Sequence, residues 1–357
     1  MAYTDIDKPS DYFISHIWSG TSSNHTESIG MQPDFVWVKG RSVATDHTLF
    51  DVVRGFTVGK SLGSNTSAAE DGSNTTAYGG IGGVTSDGFT VTAGSSNADY
   101  VNTSGRTYAS WNWKAGTSFT NDASATGIGS IDSAGSVSTT AGFSIISYTG
   151  TGANATIAHG LGSVPKMYIA RNIDDAEQWT TYHVGIGATH HLRLNTTVAK
   201  VDEAEVWNDT EPTSTVFSVG SSGAPNGDGD AHIAYCFSEV KGYSKFSSYI
   251  GNGNADGTFV YTGFKPAFVI SKKSSGTSNW VMFDNKRDVD NVCHHSLYAN
   301  LSNAETTSDA KDIDMLSNGF KFRTAESEVN GSGESYIYMA FAENPFVTST
   351  GVPATAR

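Results

Sequence analysis

One short pattern is written three times along this chain, and it restricts the fold more than any other feature. Gly30-Met31-Gln32-Pro33-Asp34-Phe35-Val36-Trp37-Val38-Lys39 returns as Gly263-Phe264-Lys265-Pro266-Ala267-Phe268-Val269-Ile270-Ser271-Lys272. A looser copy runs Gly160-Leu161-Gly162-Ser163-Val164-Pro165-Lys166-Met167-Tyr168-Ile169-Ala170-Arg171. Each copy is a Gly/Pro turn feeding a short apolar run that ends on a cation. Proline fixes φ and removes a donor where the ladder has not yet begun, so each copy reads as a strand entered from a bend. A single such strand cannot bury its own face, and three copies predict three similar sheet modules.

The flanking sequence repeats with it. Phe13 to Trp18, Phe143 to Thr149 and Tyr249-Ile250-Gly251 open the modules; Tyr108 to Trp113, Ala231 to Phe237 and Ser335 to Phe341 close them. Strand signals every eight to twelve residues, separated by Gly/Asn turns, indicate antiparallel sandwiches. The expected fold is all-β, three tandem antiparallel β-sandwich modules of jelly-roll or lectin-like type, at residues 1–116, 142–245 and 246–346. Residues 117–141 are almost entirely Gly, Ser, Thr, Ala and Asp and read as a flexible linker, with an ordered edge as the alternative for part of it. That leaves the first module more loosely attached than the other two, with 347–357 as a C-terminal arm. Composition agrees: Gly is abundant, charged residues make up 16%, and aromatics at 11% are too many for a disordered chain.

A net charge of −14 argues against nucleic acid, whose phosphates need a basic footprint, and against an anionic membrane surface. No apolar run reaches the length of a membrane span, and Met1 to Pro9 is polar, so neither membrane insertion nor a signal peptide is expected. Synthesis in a cytoplasm follows. Cys236 and Cys293 sit in different modules and read as buried free thiols.

Asn226, Asp228 and Asp230 alternate like calcium ligands, yet the aligned stretches from Asn102 and Asn330 keep only Asn-x-x-Gly, the mark of a turn needing positive φ. Phe50-Asp51-x-x-Arg54 and Phe283-Asp284-x-x-Arg287 match, and a turn-bridging ion pair explains Asp51, Arg54, Asp284 and Arg287 without a substrate. Tyr182-His183-Val184 stands there in the second module. His190-His191 and His294-His295 point to opposite faces of a strand and cannot chelate one ion; Cys293 and His295 share a face but lack further ligands. Trp111 and Trp113 share a strand face and would stack on a sugar if exposed or form core if buried. No nucleophile elbow, phosphate loop or glycosidase carboxylate pair stands out, and the acidic run Asp202, Glu203, Glu205, Asp209 reads as a solvated face. No catalytic residue, cofactor or established metal site is expected.

The repeated Gly-x-x-Pro-x-Phe-Val-x-x-Lys, the Phe-Asp-x-x-Arg step, Trp111 to Gly116, Gly242-Tyr-Ser-Lys-Phe246 and Met339-Ala-Phe-Ala-Glu-Asn-Pro-Phe346 together resemble a repeat module of tailed-phage virion proteins. That module is common in marine phages and occurs within tail-fibre-like chains. The resemblance covers the three modules and not the linker or the tail. It implies a non-enzymatic tail-fibre or appendage subunit located in the virion, assembling with other virion proteins and as a homo-oligomer, with a trimer as the usual fibre solution. Host cell-surface glycan is the expected external partner, with the 62–83 excursion and the 220–230 turn as contact loops. The alternatives are a capsid decoration or head-fibre protein, and a glycan-binding lectin or polysaccharide depolymerase.

Overall fold

The computed structural model describes residues 3–307 and 309–354. Among them every helix is short, at most four residues, and the chain is an all-β assembly of six antiparallel sheets. Three of these sheets are large and share one strand order.

In each repeat an opening strand pairs with the closing strand, the closing strand pairs with the proline strand, and the proline strand pairs with a partner strand. The opening strands are Phe13–Ser19, Phe143–Thr149 and Ser244–Ile250. The closing strands are Thr107–Trp113, Ala231–Ser238 and Ser335–Pro345. The proline strands are Phe35–Gly40, Pro165–Asn172 and Phe264–Lys273. The partner strands are Thr48–Asp51, Thr180–His183 and Trp280–Asp284. The closing strand, last in sequence, is thus inserted in the middle of the sheet. Its central place accounts for its near-continuous apolar character, because both of its faces are covered.

Registers place the repeats in correspondence. Phe35, Met167 and Phe268 lie opposite Trp113, Phe237 and Phe341 respectively. Alternation along the closing strands then sorts the side chains. Trp111 and Trp113, Tyr235 and Phe237, and Met339 and Phe341 all enter one common core. On the opposite faces of these strands, Tyr108, Cys236 and Tyr338 enter three separate clusters, each between a large sheet and a small one carrying Phe89, Phe217 or Phe320.

That common core joins all three repeats. Phe13 stacks on Phe341 at 4.9 Å, Phe35 on Tyr235 at 4.5 Å, and Trp113 lies within 6.5 Å of rings from each of the three sheets. The first repeat is therefore as tightly held as the others, contrary to the looser attachment expected from sequence. One void in this core, lined by apolar and aromatic side chains such as Phe35, Trp113 and Tyr235, is about 10 Å³. That is the volume of a single water probe.

Residues 117–141 also correct the expectation. Thr117–Asn121 and Ser133–Ser138 are strands that extend the second large sheet beyond its opening strand, with Ser133–Ser138 paired to Phe143–Thr149. The Gly/Ser/Thr composition serves close packing: a Cβ on Gly135 would sit 1.8 Å from the Ile145 carbonyl oxygen. Ser133 and Ser147 hydroxyls donate to the Ala158 and Ala134 carbonyls. The C-terminal stretch turns back rather than extending as an arm, with Val347 bridged to Pro353 and Ser349 bonded to Asp7. Residues 355–357 lie outside the described residues.

The same insertion covers an edge. In the second repeat Ile131 runs parallel to Ile157 on the outer strand of the small sheet. In the first repeat the corresponding strand is polar, His25–Ser28, and Glu27 is clasped by His16 and His25 at 2.8 Å each. In the third it is Phe259–Tyr261, with both aromatic side chains exposed. Cover and charge are two ways of blunting a sheet edge, and the third edge has neither device in its own sequence.

Candidate functional site

The residues that recur in all three copies meet at the joints between repeats. An equivalent backbone hydrogen bond spans each joint: Glu70 N–H to Ile173 O at 2.9 Å, Lys200 N–H to Ser274 O at 3.1 Å, and Glu305 N–H to Arg41 O at 2.8 Å. The three acceptors each stand two residues beyond the conserved cation. The bonds run first repeat to second, second to third and third to first, so the chain closes a ring.

A second set runs round the ring in the opposite sense. His47, Trp179 and Trp280 each stand four residues before the end of a partner strand. Trp179 Nε1 donates to Gly63 O at 2.9 Å and Trp280 Nε1 to Arg193 O at 3.1 Å. His47 makes the equivalent contact from Nε2 to Tyr298 O at 2.9 Å, since Trp37 Nε1–H already donates to its Nδ1 and fixes the tautomer.

The terminal cations lie under these joints. Lys39, Arg171 and Lys272 are all fully buried. Arg171 donates to the carbonyls of Glu177, Ser67 and Ala68 at 2.6, 2.7 and 2.5 Å, tying the first repeat to the second. Lys272 reaches Lys273 O at 2.7 Å and Thr197 O at 3.3 Å. Lys39 reaches Gly40 O at 2.8 Å. Burial pulls Lys39 down to about 7, with Asp46 and Glu305 partly opposing; burial and the neighbouring Lys273 bring Lys272 to about 7 as well.

The Asp-x-x-Arg step is a joint element too. Arg54 Nε lies 2.6 Å from Asp51 Oδ2 and Arg287 Nε 2.6 Å from Asp284 Oδ2, all four side chains nearly or wholly buried. Each aspartate also accepts across a joint: Asp51 from Tyr235 Oη at 2.8 Å and Asp284 from Trp111 Nε1 at 3.0 Å. Burial alone would raise the Asp284 carboxyl, but Arg287 and these donors hold it below the usual range. Met339 occupies the corresponding place in the third repeat and has no donor. The residue facing it is His183, which reverses the bond by giving Nε2–H to Tyr338 O at 3.0 Å. Ile186 and Lys200 stand where Arg54 and Glu70 stand, so the joint between the second and third repeats is rewritten as a set. An aspartate left without its donor and guanidinium would be a buried unpaired charge.

Trp111 and Trp113, which the sequence leaves open between sugar contact and core, are 0% and 1% exposed and belong to the core, so no sugar can reach them. Asn226 is buried, Asp228 exposed and Asp230 half-buried. The Asn226 oxygen accepts from Thr151 N–H at 2.9 Å, and its amide donates to Ala153 O at 2.6 Å and Gly220 O at 2.7 Å. Asn102 and Asn330 clasp Thr21 N–H and Asn252 N–H in the same way, with Gly105, Gly229 and Gly333 at φ of 79°, 79° and 73°. This explains Asn-x-x-Gly as a turn clamp. Among the described residues no group of three or more His, Cys, Asp or Glu side chains converges as a metal site. Of the histidine pairs, His191 is buried, and His295 Nδ1 binds Asp288 at 2.5 Å. Cys236 and Cys293 are buried free thiols. The excursion from residue 62 is largely committed to the joints through Gly63, Ser67 and Ala68, and the 220–230 turn holds the buried Asn226 clamp.

One open cleft lies outside this machinery, where the third repeat meets the first. It holds about 430 Å³ and is lined by Ala44, Thr45, Asp46, Tyr78, Asp99, Tyr100 and Ser302. Ser302 corresponds to Ser67 and Thr197, whose carbonyls accept from Arg171 and Lys272 at the other two joints. The cleft was not foreseen from sequence, because its residues come from separate loops with no shared spacing.

The fold is thus an all-β ring of three like repeats closed within a single chain. Residues 8–345 match the family described as a domain of unknown function, DUF7483, and the chain belongs to that family. The matched span takes in all three repeats as one unit. No curated protein and no solved structure gives a match. No helix among the described residues is long and apolar enough to cross a membrane.

Proposed function

We propose that the protein is a non-enzymatic structural component of a phage virion, a tail-fibre or appendage subunit whose loops meet host-surface groups, including glycans. The observation that carries this reading is the fate of the repeated residues. The recurring cations and the Asp-x-x-Arg step serve the joints of a closed ring, while the proline strand and Asn clamp shape each repeat, which suits a scaffold that displays loops. Each repeat would descend from a jelly-roll or lectin-like sandwich, with the large and small sheets as its two layers. Assembly would occur in the host cytoplasm with other virion proteins, and a homotrimer would form through surfaces outside the common core. A second reading, capsid decoration or head fibre, is favoured by the closure of that core within one chain, which needs no sister copy to bury it.

Labelling this chain on intact particles and viewing them by electron microscopy tests both. Label at the tail supports the appendage, label on heads supports decoration, and unlabelled particles contradict a virion role. Depolymerisation of purified host polysaccharide by the protein would overturn the non-enzymatic reading in favour of a depolymerase.

A further inference from the structure

We propose that the cleft between the first and third repeats binds one ring of a neutral, hydroxyl-rich sugar at the exposed end of a glycan. This rests on the surface-binding part of the reading above and gives it a site, now that Trp111 and Trp113 are known to be buried.

The shape comes from two tyrosines. Tyr78 and Tyr100 stand 5.6 Å apart at 90° and form an aromatic corner, with Tyr78 38% exposed. Their loops are pinned in advance: Tyr100 N–H donates to Tyr78 O at 3.2 Å, and Ser96 and Asn97 N–H groups donate to Ala77 O at 3.0 and 3.1 Å. A corner already in place loses little freedom on binding. Aromatic faces of this kind take the C–H face of a pyranose ring, and about 430 Å³ accommodates a sugar residue with its neighbour at the mouth.

The polar lining selects the charge. Asp46 and Asp99 supply acceptors, each with capacity beyond its present bonds, since an ionised carboxylate offers about four lone-pair sites. Asp46 accepts from Asn65 at 2.6 Å and is hydrogen-bonded to Tyr100; Asp99 accepts from Thr103 at 2.9 Å and pairs with Arg106 at 2.7 Å. Both carboxylates are therefore held in place. Arg106 stands as a countercharge beside Asp99, and Asp46 lies in the field of buried Lys39. Fixed acceptors repel an anionic ligand and suit hydroxyl donors, and Arg106 offsets part of their pull on a cation.

The test measures binding of the full chain to glucose, galactose, mannose and N-acetylglucosamine oligosaccharides by calorimetry, with sialyllactose and choline as charged comparators. Saturable binding of a neutral oligosaccharide, weakened about tenfold or more by Tyr78→Ala and also weakened by Asp46→Asn, supports the site. Thermal melts of both variants show whether the fold is kept, and the exposed Tyr78 tip is the safer change. Tighter binding of sialyllactose or choline than of every neutral sugar overturns the proposal, as does neutral-sugar binding untouched by Tyr78→Ala. Binding to whole host cells separates the two levels. If wild type and Tyr78→Ala bind cells equally, the cleft is wrong and surface binding stands; if wild type binds no cells, surface binding itself fails.

Discussion

Trp111, Tyr235 and Met339 hold one position in three repeats, and what each can donate decides what stands opposite. Trp111→Phe keeps most of the buried ring but strips Asp284 of its indole N–H. Bonds to charged groups are worth about 1.5–3 kcal/mol, and urea unfolding should show a loss in that range. Met339→Leu at the equivalent position should cost less than about 1.5 kcal/mol, because His183 uses the Tyr338 carbonyl and not the side chain at 339. Equal losses would break the proposed pairing. The buried histidines give a pH signature. Burial, with Lys39 adding its charge, takes His47 down to about 3, and burial takes His183 to about 4, from an ordinary value of 6.5. The folded chain binds fewer protons than the unfolded chain between these values. Their contribution is complete above pH 6.5 and is lost as pH falls toward 4, so the thermal midpoint should drop across that window. A flat profile there would contradict neutral, buried imidazoles.

At the scale of elements, residues 117–141 show where sequence reading works and where it stops. Most opening, proline and closing strands were legible because alternation and Gly/Pro punctuation are local signals, but the third opening strand, Ser244–Ile250, begins inside the expected second module. The same composition that marks a flexible linker also suits a strand pressed against another backbone, and nothing local separates the two. Gly135 lies against the Ile145 carbonyl, which only the paired structure reveals. Gly135→Ala should therefore destabilise by roughly 1–3 kcal/mol through overpacking, whereas a linker would tolerate it. Hydrogen exchange adds an independent check, with amides of 133–138 protected. The site was less legible than the fold. Trp111 and Trp113 could be core or platform until the third layer of neighbours was known, and Tyr78, Tyr100, Asp46 and Asp99 converge only through loops far apart in sequence.

At the scale of the whole molecule, the three copies predicted three modules, and the structure joins them into one ring. The repeated cation was the overlooked clue: a lysine or arginine that recurs in every copy is doing something a solvated lysine would not. Removing any repeat would uncover Phe143, Phe237, Phe268 or Phe341, each of which now packs against side chains of a neighbouring repeat. Independent sandwiches would melt separately, as units with their own cores do. Differential scanning calorimetry of the intact chain distinguishes these cases most directly. A closed ring with a shared core should unfold in one transition whose calorimetric and van't Hoff enthalpies agree. Two or three resolved transitions, or a calorimetric enthalpy well above the van't Hoff value, would contradict closure of the ring.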